Sequence, residues 1–170
     1  MAVSLTVSGK LRQMKLTSRQ DIEAPAAFVF AALKDFDAWE RSALRRGAEV
    51  VRTDKLPSVM PGLSWLIKFA YRGKERKLAL RLISLEQPTL IGFSGTGTSF
   101  DGVAGIDLME LAARRTRMSV TLDIRPKSIA ARVILQSMRL ANARLNRRFS
   151  DRVGQFCTEI ETRYRQMSRS

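Results

Sequence analysis

Downstream of Ala48 the hydrophobic period of the sequence changes once, at Pro126-Lys127-Ser128. Before that point apolar and polar residues alternate, as they do in a strand with one buried face. After it apolar residues return every three or four positions, as they do in a helix. Trp65, Ile67, Phe69 and Tyr71 share one face of a strand at Trp65–Tyr71, and Leu78, Leu80 and Leu82 share one face of a strand at Glu75–Glu86. In Arg117–Arg125, Met118, Val120, Leu122 and Ile124 point inward. Further strands are expected at Ala48–Lys55, Leu90–Ser94 and Val103–Leu111. Tyr71-Arg72-Gly73-Lys74 reads as a tight hairpin, and Gly95–Gly102 as a turn. This is the pattern of an antiparallel meander with one buried face.

The helical stretch runs from Ile129 to Gln166, with Ser128 as its N-cap. Its apolar stripe is Ile134, Met138, Ala141, Leu145, Phe149, Phe156, Ile160 and Met167, opposite Arg132, Arg139, Arg147 and Arg165. Unbroken, it would extend roughly 57 Å, more than a small domain's width. An overhang is expected, or a bend near Gly154, where glycine weakens a helix. The lone cysteine, Cys157, falls toward the outer side of the stripe and reads as structural.

Ahead of the meander lies a strand at Lys15–Ile22, then a short helix at Pro25–Lys34 with proline in its first turn. A second short helix begins at Asp37, with Glu40 completing a capping box, and stops at Gly47 after Arg45 and Arg46. Residues 1–13 read as an N-terminal extension and 14–167 as a single domain. The stretch Met1–Gln13 has neither the basic start nor the apolar core of an export signal, so a cytoplasmic protein is expected.

Composition removes several classes of chemistry. The 170 residues suffice for one core without metals or disulfides. There is no histidine, which takes away the commonest general base and the usual zinc ligand. With one cysteine as well, neither a metal nor another cofactor is expected. No stretch of about 18 apolar residues exists to span a bilayer.

Net charge is +14, with 30 basic against 16 acidic residues. From Arg114 to Ser170 there are 14 basic and 4 acidic residues, a net of +10, against 16 and 12 upstream, a net of +4. Such a half attracts phosphates, anionic lipid or an acidic partner, although solvated faces alone would also account for it. No run of five basics and no interleaved aromatic ladder occurs, which disfavours nucleic acid.

One strand, two short helices, six strands and a long terminal helix is a specific order. Together with DIEAPAAFVFAALKDFDAWE (Asp21–Glu40), the Pro61–Trp65 stretch and the Arg114–Val120 run, it resembles the START / polyketide-cyclase / birch-pollen-allergen superfamily, SRPBCC. The resemblance covers roughly Met14–Gln166. It implies an α+β helix-grip fold: a curved seven-stranded antiparallel sheet around a long C-terminal helix, with two short helices between strands 1 and 2 and a cavity between sheet and helix. Members hold lipids, isoprenoids, polyketides or aromatic molecules. Some catalyse cyclisation or dehydration, and others bind coenzyme Q or a chaperone.

The expected cavity lining is Trp65, Ile67, Phe69, Tyr71, Leu80, Phe93, Met118, Val120, Leu122, Met138, Leu145 and Phe149. The same residues would also make an ordinary packed core. Arg152 sits beside the stripe, where it either fixes an acidic ligand head or sends its own head to water, and Arg148 on the other flank poses the same choice. Tyr71 and Trp65 offer polar tips. Ser94 and Thr96 read as turn chemistry, and the carboxylate pairs Asp21/Glu23, Asp35/Asp37 and Glu159/Glu161 as caps or exposed charges. Three functions follow. The leading one is carriage of a hydrophobic or amphipathic small molecule without catalysis, with peripheral contact to anionic membrane and a homodimer left open. The second is a polyketide cyclase or dehydratase using Tyr, Asp, Glu or Arg-held water. The third is a nucleic-acid or acidic-protein binding module.

Overall fold

A computed structural model describes residues 13–170. The elements are β1 (Met14–Ile22), α1 (Ala26–Leu33), α2 (Phe36–Arg45), β2 (Glu49–Arg52), β3 (Ser64–Tyr71) and β4 (Lys74–Glu86). They continue with β5 (Leu90–Gly97), β6 (Phe100–Ala112), β7 (Arg115–Pro126), α3 (Ile129–Leu140) and α4 (Asn142–Ser168). All seven strands form one antiparallel sheet in the order β1-β7-β6-β5-β4-β3-β2. This is the expected α+β helix-grip architecture. Residues 1–12 of the expected N-terminal extension lie outside the described residues.

Local chemistry places the elements. The β3–β4 hairpin turns through Arg72 and Gly73, at φ 51° and 73°. Positive φ at both central residues matches the right-handed twist of the flanking strands. Gly47 ends α2 at φ 87°. The start of α2 differs from the expected capping box: its N-cap is Asp35, whose carboxylate accepts from the Ala38 N–H at 3.1 Å. Asp37 therefore falls inside the first turn, and Glu40 is released for another partner. Gly95–Gly102 is not one long turn either. Strand β5 runs through Ser94, Gly95, Thr96 and Gly97, and β6 restarts at Phe100, because pairing with β4 and β6 supplies bonds that local glycine chemistry does not foretell.

The terminal helix breaks at Ala141 (φ −101°, ψ 16°) and not at Gly154. Gly154 stays helical and faces the Gln20 side chain of β1, with room for a Cβ in ordinary contact at 3.7 Å. The break also shifts the helical phase upstream. In α3 the inward residues are Ala131 and Leu135, while Ile134, expected in the stripe, is half exposed. At the far end Met167 is exposed, and Cys157, expected on the outer side, is 5% exposed beside Ile160 at 0%.

Helix α4 lies along β1, an edge of the sheet. Edge strands present unpaired backbone groups, and α4 answers one on β1 and one just past its end. Asn146 Oδ1 accepts from the Thr17 N–H and Glu161 Oε1 from the Glu23 N–H, both at 2.9 Å. Between these clamps, Ser150 Oγ lies 3.0 Å from Ser18 Oγ and 3.3 Å from Gln20 Nε2. The apolar interior falls into two clusters. One joins α1, β1, Trp65 and Ile160; the other joins Met14, Leu16 and Leu135 beneath α3. Among the described residues no helix is long and apolar enough to cross a membrane.

Candidate ligand-binding cavity

The space between the two clusters follows from the cross-strand register. Across the concave face one row runs Trp65, Leu80, Gly95, Gly102, Ile124, Met14, and the next Leu82, Phe93, Ala104, Leu122, Leu16. Residues opposite one another share a face, so Gly95, Gly102 and Ala104 put almost no side-chain volume at its centre. A cavity of about 270 Å³ lies over them, walled by Leu78, Leu80, Phe93, Phe100, Leu122, Ile124 and Met138. A second, of about 280 Å³, adjoins it at Leu80 and Phe93 and reaches Trp65 and Ile67 under Leu33, Phe36, Trp39 and Ala43. A third, of about 920 Å³, shares Leu33, Trp39, Ala43 and Ile106 with the second and opens between α2 and α4.

Polar groups are few and separated. Trp65 Nε1 donates to Glu40 Oε1 at 2.7 Å, so the released Glu40 satisfies the indole and caps the second cavity. Phe36 stacks edge-on to the Trp65 ring at 5.3 Å, and the Arg52 guanidinium covers it at 5.5 Å. Arg52 is held in turn by Asp54 at 2.6 Å. That bond, aided by the Ser64 and Leu56 N–H groups, keeps the Asp54 carboxyl well below the usual carboxylate range. Asp101 borders the first cavity, but strand alternation sets its side chain with Thr96 and Arg125, on the opposite face of the sheet from Gly102. Its Oδ1 is buried without a hydrogen bond, and the Lys127 ammonium lies 3.6 Å away.

The mouth of the third cavity is basic. Arg41, Arg45 and Arg46 come from α2 and its end, Arg152 and Arg163 from α4, and Glu159 is the one acid in the lining. Among the described residues none of the five arginines forms an ion pair. Five arginines against one glutamate leave a net positive field across the opening.

The expected lining residues are distributed unevenly. Trp65, Ile67, Leu80 and Phe93 line the second cavity, Leu80, Phe93, Leu122 and Met138 the first, and Met118, Val120, Phe149 and Arg152 the third. Leu145 packs into the cluster beneath α3. Phe69 and Tyr71 lie on the same strand face but are 36% and 53% exposed, because β3 outruns the helices at its hairpin end. The Tyr71 ring there lies under the Arg72 guanidinium at 5.4 Å. Arg148 is exposed and lines none of the three cavities. The reading by period did not single out the roof (Leu33, Phe36, Trp39, Glu40, Ala43) or the floor glycines. The roof had a signal, since Trp39 and Ala43 are four apart on a short helix beside an apolar one. The floor had none.

Cys157 is buried and lines none of the three cavities. Burial, and then the Glu161 carboxylate, push its thiol up to about 12. The unfolded chain releases this proton near 9.0 and the folded chain does not, so this contribution to stability falls as pH rises through that interval. The slope is about 1.4 kcal/mol per pH unit. Urea unfolding at pH 8 and pH 10 is expected to show a larger loss in the wild type than in Cys157→Ala. Equal losses would mean the thiol is not buried as described.

No family model matches this sequence, and neither does any curated protein. Solved structures do. The Zhui aromatase/cyclase from Streptomyces sp. R1128 superposes with a TM-score of 0.64 at 16% identity, over 89% of this chain and 95% of its own. TTHA0849 from Thermus thermophilus gives 0.62 at 13% identity, over 91% and 99%. A START superfamily protein from Mycobacterium smegmatis gives 0.56 at 15% identity, over 84% and 98%. At these identities the likeness is one of fold.

Proposed function

We propose that this chain, which has the helix-grip fold of the SRPBCC superfamily, binds and carries a hydrophobic or amphipathic small molecule of lipid, isoprenoid or polyketide-like chemistry. The guest lies over Gly95, Gly102 and Ala104 and beneath Trp39 and Phe36. One observation carries the reading: three adjoining cavities share walls along the concave face, apolar within and ringed by arginine at one opening. Apolar cavities of this size bury small ligands at little conformational cost. An anionic head is then held at the mouth by Arg152 and Arg45, since guanidinium pairs strongly with carboxylate or phosphate.

A cyclase or dehydratase would need two ionisable groups converging on one reacting atom. Here Glu40 lines the second cavity, occupied by Trp65, while the Asp101 side chain beside the first is turned with Thr96 and Arg125 to the other face of the sheet. That separation favours carriage over catalysis.

The test is native mass spectrometry of purified protein, with displacement of a fluorescent fatty acid and its methyl ester. Wild type is expected to retain an extractable guest and to prefer the acid over the ester. Gly95→Val should keep the fold, because the nearest atoms to its Cβ are the flexible ends of Leu78, at 3.1 Å, and Leu80, at 3.9 Å, and valine favours strands. It should weaken both probes at least tenfold by filling the floor. Arg152→Gln/Arg45→Gln should abolish only the preference for the acid. Probe affinity unchanged in Gly95→Val would sink the assignment.

A further inference from the structure

The geometry points to α3 as a docking element for anionic lipid bilayers, a role that stands whatever the cavity holds. Helix α3 already buries one face: Ala131 and Leu135 are at 1% and 2% exposure, and Met138 packs beside them. Its outer face should then be polar, and it is only partly so. Ile129, Val133 and Leu140 follow one another down that side at 78%, 58% and 93% exposure, with Ile134 at 50% alongside. Only Ala130 and Ser137 separate them, and Arg132 and Gln136 mark one border. A ridge of large exposed apolar side chains beside a polar border is the pattern of a helix that lies at an interface.

Charge selects the cover. Residues 124–150 contain seven basic side chains, Arg125, Lys127, Arg132, Arg139, Arg144, Arg147 and Arg148, and no acidic one. A second copy brings the same sign, at net +14, and residues 1–12 bring Lys10 and Arg12 with no acid. Both are repelled by the ground around α3. An anionic bilayer meets both requirements, with headgroup phosphates for the arginines and acyl chains for the apolar ridge, as interfacial amphipathic helices use them. The ridge is also convex, and a convex apolar ridge is accommodated by a deformable surface. On its inner side Met138 lines the first cavity, so a docked bilayer would lie about one helix diameter, on the order of 10 Å, from that space.

Flotation of the full chain with large vesicles tests this, using phosphatidylcholine alone and with 30% phosphatidylglycerol as an explicit choice of about one anionic lipid in three. Wild type is expected to bind the anionic vesicles at least tenfold more tightly, and to lose most of that binding at high salt. Ile129→Ser/Val133→Ser/Leu140→Ser, all at exposed positions, should remain folded by circular dichroism and lose at least tenfold in affinity. Val133→Trp should add indole fluorescence that brominated acyl chains quench. No vesicle binding, or binding identical in wild type and triple variant, overturns the proposal. So does a dimer by light scattering that the triple variant dissolves, or tight capture of an acidic polypeptide that vesicles fail to displace.

Discussion

Trp65→Ala is expected to destabilise the protein by about 3–5 kcal/mol, the usual cost of removing a buried tryptophan. The side chain is 4% exposed and belongs to the main cluster. Its removal takes away the edge contact with Phe36 and the acceptor role of Glu40 together. Trp65→Phe separates the two effects. Packing is largely kept while Glu40 loses its donor, and a half-exposed carboxylate can turn to water, so about 1 kcal/mol is expected. Urea unfolding of both variants is the measurement. A cost below about 1 kcal/mol for the alanine variant would mean that α2 does not sit on β3 as described.

Ile160→Ala should cost about 2–5 kcal/mol, whereas Leu140→Ala, on the same terminal stretch, should change stability by no more than about 0.5 kcal/mol. Ile160 is at 0% exposure and Leu140 at 93%. Ile160 lies where α4 meets the main cluster, near the Phe28–Tyr164 contact at 5.1 Å. The contrast tests the docking of α4 directly, because both residues are large, apolar and helical. Equal costs for the two would contradict the phase shift at Ala141. The same comparison guards the lipid-docking proposal, since a free Leu140 is what that surface requires.

Much of this architecture is legible in residue pattern, because burial on one face writes a period into the chain. Strands β3, β4 and β7 were each marked by alternation, and the inward sets 78/80/82 and 118/120/122/124 are the ones that face the helices. Local rules mislead where a contact distant in sequence competes. Asp37 and Glu40 have capping-box spacing, but Asp35 takes the cap and Glu40 goes to Trp65, 25 residues away. Gly95-Thr96-Gly97 looks like a turn until strands on both sides supply its hydrogen bonds.

The resemblance to helix-grip proteins followed from the order of elements, and that order is a property of the chain itself. Alternating residues make strands, threefold-to-fourfold recurrence makes a helix, and glycine with positive φ turns the hairpin. These depend on neighbours within about ten positions, so they can be read along a line. Which apolar residues border empty space depended on strand register, which sets Gly95 opposite Gly102 and Phe93 beside Ala104. The gathering of Arg41, Arg45 and Arg46 with Arg152 and Arg163 around one opening, and the outward turn of Ile129, Val133 and Leu140, depended on how α2, α3 and α4 lie on the sheet. A cavity is a difference between volumes brought together from distant segments, and no single segment carries it.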